Sequence, residues 1–146
     1  MSNIIRKSDK ILVSSLKDIE KKMLTHEQIK LLTIHSLYEG VYTRTILLRK
    51  NDVICGALIK IPTTLIINGE LQVSNGDDVF TISGFDVFLC EPNRKQLMLA
   101  LDKTSITMLF KTSATTIEEA EEEFTDEFLA LSSRREDSIN IIYKGE

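Results

Sequence analysis

The chain reads as a mainly β domain closed into a small barrel or jelly roll, and three observations predict this. Between Tyr42 and Phe110, apolar runs rich in β-branched residues recur at intervals of about ten residues, the rhythm of short strands in a barrel or sandwich. Turn formers separate them, at Asn51-Asp52, Asn68-Gly69, Asn75-Gly76, Ser83-Gly84 and Pro92-Asn93. The intervals leave no room for crossover helices, which excludes a parallel nucleotide-binding sheet.

A length of 146 residues with 42% hydrophobic content suits one domain able to bury a core without a metal or disulfide staple. A net charge of −4 gives no general attraction to nucleic acid or to anionic membrane. Lys and Arg gather in the first 60 residues and acid at Glu118 to Glu127, which suits a protein partner or a solvated face. Cys55 and Cys90 match no metal-ligand spacing and read as buried, reduced thiols. The start lacks a secretory core, and no apolar run is long enough to cross a bilayer, so a reducing cytoplasm is expected.

Taken in order, residues 1–37 are expected to form an N-terminal helical extension. Ile4, Ile5 and Ile11 to Val13 serve an arm or edge strand. Ser14 or Ser15 then caps a helix bearing Leu16, Ile19, Met23 and Leu24. Thr25 and Gln28 have capping-box spacing and predict a second helix carrying Ile29, Leu31 and Leu32. His26 and His35 are the only histidines, too few and too far apart in sequence for a metal site. His35 titrates in a useful range but has no nucleophile beside it.

Residues 38–112 form the predicted barrel. Tyr42 to Leu48 is a strand closed by the Arg49 to Asp52 turn, and Val53 to Cys55 begins another. Leu65 to Ile67 and Glu70 to Val73 read as a hairpin about Asn68-Gly69. Asn75 to Asp78 is a further turn. Val79 to Ile82 is a strand ending at Ser83-Gly84, and Phe85 to Cys90, Gln96 to Leu101 and Ser105 to Phe110 follow.

Residues 113–146 supply a capped amphipathic helix and a tail. Thr115 or Thr116 is the cap, Ile117, Ala120, Phe124, Phe128 and Leu131 the apolar stripe, and Glu121 to Glu123, Asp126 and Glu127 the solvent face. After a polar break, Ser138 to Tyr143 is an apolar strand that pairs with its own sheet or with another subunit.

Several short motifs carry a family resemblance. Tyr42-Thr43-Arg44 opens a strand, Gly56-Ala57-Leu58-Ile59-Lys60-Ile61-Pro62-Thr63 follows, and Gly69 marks a turn. Pro92, the Arg94-Lys95 pair and the acidic helix come later. In this order they resemble small cupin-like proteins encoded by tailed bacteriophages, over about three fifths of the chain. The resemblance implies a cupin-like double-stranded β-helix, an origin in a phage, and a place in the bacterial host cytoplasm or on the virion. In that pattern metal-binding histidines fall where this chain has Ile59, Thr63 and Phe110. Neither Ile nor Phe offers a ligand atom, so a metal-free barrel without a cofactor is expected.

Two functional readings follow. The first is a non-enzymatic, homo-oligomeric accessory or structural protein acting through contacts with its own copies or with a phage or host protein. Phe124, Phe128, Leu131, Ile139 and Ile141 are its candidate interaction residues. The alternative is a sequestering or sensing module for a small anionic ligand or nucleotide. There Tyr42, Arg44, Lys60, Thr63 and Arg94 converge at the barrel mouth, because Arg and Lys recognise anions and Tyr stacks or donates. No catalytic residues are assigned, since the hydrolase, phosphate-loop and zinc-protease motifs are all missing. Enzyme activity therefore ranks below binding or assembly, and nucleic-acid binding below both.

Overall fold

Strict alternation builds the sheet. In the strand from Thr63 to Ser74, the residues Thr63, Leu65, Ile67, Leu71 and Val73 are buried while their neighbours face out, the period-2 pattern of a sheet with one face on a core. A computed structural model of the chain describes residues 3–74 and 78–145. Its elements are β1 (Ile4–Ile5), α1 (Lys10–Met23), β2 (Leu32–Tyr38), β3 (Val41–Leu48), β4 (Val53–Cys55), β5 (Thr63–Ser74), β6 (Val79–Cys90), β7 (Leu97–Ala100), β8 (Thr104–Lys111), α2 (Ile117–Phe124) and β9 (Ile139–Lys144). The sheet order is β1-β6-β5-β8-β3-β2-β9, with β7 pairing both β5 and β4. This is a mainly β domain in which the long sheet curves round a core, the barrel or sandwich class that the strand rhythm predicts.

Long strands bend where the sheet changes partner. The hairpin expected at Asn68-Gly69 is not formed: β5 runs straight through and pairs with β6 from Thr63 to Ser74. At Gly69 it leaves β8, which it pairs from Thr64 to Asn68, for β7, which it pairs from Leu71 to Ser74. Gly69 has φ +147°, and a Cβ there would collide with Lys103 and Thr104, so the glycine serves a corner and a close approach. Its partner across the ladder is Gly84, at φ +84°. The strand end expected at Ser83-Gly84 is likewise a bend within one strand, β6. The turn expected over Asn75 to Asp78 falls, for its first three residues, outside the described residues.

The N-terminal region departs most from expectation. The first helix starts five or six residues early: Asp9 is its N-cap, its side chain accepting from the Ile11 N–H at 2.7 Å. Ile11 to Val13 are therefore helical. The second helix does not exist. Thr25 and Gln28 instead bond the carbonyls of Lys22, Met23 and His26 and so finish α1, after which the chain enters β2. The sheet thus draws on residues 1–37 twice, through β1 against β6 and through β2 from Leu32. At the other end, α2 stops at Phe124, and short 3-10 turns at Phe128–Ala130 and Ser132–Arg134 carry the chain to β9. β9 pairs in parallel with β2 of its own sheet, one of the two partners expected for the tail.

The core is one cluster inside the barrel, including Tyr42, Leu65, Ile67, Leu71, Phe88, Ile106, Met108 and Phe110. α2 closes one end of it with Ile117, Ala120 and Phe124. The rings of Tyr42, Phe110 and Phe124 pack together, with centroids 5.4 to 6.4 Å apart.

Candidate functional site

A cavity of about 240 Å³ opens into the barrel. Ile46, Leu65, Met98, Ile106 and Met108 line it from the sheet, Met23 and Leu24 from the end of α1, and Leu131 from the C-terminal segment. Among the polar groups on this lining are the buried guanidiniums of Arg44 and Arg94, with the half-buried Arg135 and the carboxylates of Glu20 and Glu127, both of which pair with Lys95. The surroundings of Arg44 and Arg94 differ.

Arg44 projects inward from β3 and meets α2. Its Nη1 donates to Glu121 Oε2 at 2.8 Å and its Nη2 to Ser133 Oγ at 2.9 Å, while the guanidinium lies 5.6 Å from the Phe124 ring centre. Glu121 is 2% exposed and also accepts from Ser133 Oγ at 2.6 Å and Arg134 Nε at 2.8 Å. Burial alone would raise the Glu121 pKa; the bonds from Ser133, Arg134 and Arg44 outweigh it and hold the carboxyl below its ordinary range. The expectation that Glu121 faces solvent is therefore wrong. Helical spacing carried the signal, because position 121 lies four residues after Ile117 and three before Phe124, on the apolar face.

Tyr42 extends this network away from the cavity. Asn140 Nδ2 donates to the Ser133 carbonyl, which turns Asn140 Oδ1 toward His35 Nε2 at 2.7 Å. That oxygen only accepts, so His35 carries its proton on Nε2 and receives the Tyr42 O–H on Nδ1 at 2.8 Å. Arg44 Nη1 completes the chain at 3.4 Å from the Tyr42 oxygen. Burial, assisted by the charge of Arg44, lowers the His35 pKa against the opposing Asn140 bond and the carboxylates of Glu121 and Glu118. The imidazole is a neutral strut between β2, β3 and β9.

Arg94 is 2% exposed, follows the Glu91 to Asn93 turn, and lines the same cavity. Its Nη1 donates to the Glu91 carbonyl at 3.0 Å and its Nη2 to Thr63 Oγ1. Among the described residues no carboxylate forms an ion pair with it. Burial lowers its pKa, and the one charge-bearing group acting on it is the Cys90 thiol. That thiol is itself pushed up by burial and so stays protonated and neutral.

The neighbouring Lys95 shows what a compensated charge looks like here. It is fully buried, and its Nζ meets Glu127 at 3.0 Å, both Glu20 oxygens at 3.2 Å and the Gly56 carbonyl at 2.9 Å. Burial works against its charge, and the bond to Glu127 with the charges of Glu127 and Glu20 raises the pKa overall. Lys95 thereby rivets α1 and the C-terminal segment over the cavity. Cys55, also at the cavity, has its pKa pushed up by burial to about 11 and is an unreactive thiol.

The five residues expected to converge therefore separate. Arg44 and Arg94 line the cavity, Thr63 supports Arg94, Tyr42 supports His35, and Lys60 sits outside, paired with the exposed Asp126 at 2.7 Å. Of the expected interaction residues, Phe124 and Leu131 are buried in this chain's own core and Phe128 packs against it, while Ile139 and Ile141 are exposed on β9.

Among the described residues no group of three or more His, Cys, Asp and Glu side chains is placed to hold a metal ion. The donor chemistry agrees: Ile59 and Phe110 have no ligand atoms, and the Thr63 hydroxyl is engaged by Arg94. The residues present do not fit the metal that the family resemblance would call for. Among the described residues no helix is long and apolar enough to cross a membrane.

No protein-family model and no curated protein sequence matches the chain. Among solved structures it is similar to a cupin superfamily protein from Desulfitobacterium hafniense, at 10% identity and TM-score 0.47, over 60% of this chain and 83% of that one. It is also similar to a cupin-2 domain containing protein from Shewanella frigidimarina, at 12% identity and TM-score 0.43, over 64% of this chain and 91% of that one. A conserved protein of unknown function from Streptococcus pyogenes gives 10% identity and TM-score 0.45, over 61% and 80% of the two chains. Function has to be read from this chain's own residues.

Proposed function

We propose that the protein is a ligand-binding barrel, a sequestering or sensing module that takes up a small, largely apolar molecule carrying one carboxylate-type anion. One observation carries the reading: Arg94 is a buried guanidinium on an apolar cavity with only neutral oxygens as partners. An uncompensated buried charge costs several kcal/mol, roughly, and an anion in the cavity would offset that cost. Two of the five guanidinium N–H groups are engaged, which leaves donors for a carboxylate.

The cavity sizes the ligand. A dry cavity of about 150 Å³ accepts benzene, whereas drug-sized sites begin near 300 Å³. A volume of about 240 Å³ therefore suits a one-ring or short branched-chain acid rather than a nucleotide. Arg44 is a wall in this reading, its guanidinium already paired with Glu121, which it shares with Arg134.

Isothermal titration with a panel of aromatic and branched-chain carboxylates tests the proposal. Saturable binding of at least one, weakened tenfold or more in R94M and unchanged in K60A, is the expected result. Absence of saturable binding, or R94M binding like the wild type, overturns it.

A further inference from the structure

The sheet that encloses the cavity has a second face. Along β6, β5, β8, β3, β2 and β9, the pairing register sets the outward side chains in three rows. The middle row runs from Val87 through Thr107 and Thr45 to Ile141. The rows on either side start at Leu89 and Phe85 on β6 and end at Tyr143 and Ile139 on β9. Three rows of six strands give eighteen positions; at the chain's 27% charged content they would carry about five charges, and they carry none. Its margins are exposed and apolar: Phe85 is 68% exposed, Leu89 59% and Tyr143 65%.

Six strands about 4.8 Å apart and three rows about 7 Å apart make a patch of roughly 29 by 20 Å. Covering it on two molecules removes more than about 1,000 Å² in total, the size a specific interface needs. A patch of this extent that is largely apolar and wholly uncharged is unusual on a monomer. We propose that this face packs against the same face of a second copy of the chain, sheet on sheet, in a two-fold dimer. A partner with a charged surface would strand its charges against this face, whereas a second copy offers a matching surface of Thr, Ser and aliphatic side chains. The interface lies on the opposite side of the sheet from the cavity, so it stands independently of the ligand-binding reading. It places Ile139 and Ile141 between protomers.

Sedimentation equilibrium of the wild-type chain from 1 to 100 µM tests the proposal, with T45K and V87K as face variants and L129K as an exposed apolar control elsewhere. The expected result is twice the 16.6 kDa chain mass for the wild type and L129K, and at least a tenfold weaker association for T45K and V87K, each with a circular dichroism spectrum like the wild type. A wild-type mass of 16.6 kDa throughout overturns the proposal whatever the variants do, including the case in which the face takes a different protein. A dimer that T45K and V87K leave intact overturns it as well.

Discussion

Arg44 and Arg94 line one cavity and are both buried, yet they are opposite in design. Around Arg44, Glu121, Ser133 and Arg134 form a closed network in which every strong charge meets a partner. Around Arg94 there are a carbonyl, a hydroxyl and a protonated thiol. The first arrangement fastens α2 to the barrel; the second leaves a charge to be answered from the cavity. Burial of an arginine is thus not itself a functional signal, and the distribution of carboxylates about it decides the role.

The comparison breaks most visibly at Glu121. Replacing it with Ala leaves Arg44 buried without a counter-charge, and a loss of about 3–5 kcal/mol in urea-unfolding stability is expected. A loss below about 1 kcal/mol would mean that the network does not hold α2. Next comes Arg94→Met, which removes a charge that nothing compensates. Unliganded stability should stay within about 1 kcal/mol of the wild type, because a lost desolvation cost offsets two lost hydrogen bonds. Equal destabilisation by E121A and R94M would erase the distinction between the two arginines.

The dependence on pH sharpens the same contrast. His35 has its folded pKa below its unfolded value, so the unfolded chain binds the extra proton and stability falls as pH drops below about 6.5. Glu121 is also lowered, and its contribution, present above its ordinary value, is lost as pH falls further. Melting temperatures from pH 8 to 2 should decline in those two stages, and H35N should flatten the first stage alone. A first stage unchanged in H35N would remove His35 as its cause. The smallest effect belongs to Lys60→Ala, whose exposed pair with Asp126 should be worth no more than about 1 kcal/mol.

The strands from β3 to β8 were legible because their inner positions are apolar and their turns carry Asn, Gly and Pro. β2 was not, for a specific reason: its inward positions include Thr33 and His35, and its outward ones include Leu32 and Ile34. The usual contrast is inverted on that strand by a polar network inside and an uncharged face outside, so the alternation is hidden. Gly69 followed Asn68 and read as a hairpin, whereas its role depends on Lys103 and Thr104, distant in sequence. At the site, the residue types were legible and the partnerships were not. Nothing local tells that Glu121 answers Arg44, that Glu20 and Glu127 answer Lys95, or that Arg94 has no acid beside it.

The most direct measurement compares an acid with its neutral isostere on the same protein. Titration of wild-type chain and R94M with benzoate and with benzamide separates charge from shape. Saturable benzoate binding to the wild type is expected, with at least tenfold weaker benzamide binding and no preference between the two in R94M. Equal affinity of the wild type for both compounds, or a benzoate preference that survives in R94M, would contradict the role of Arg94.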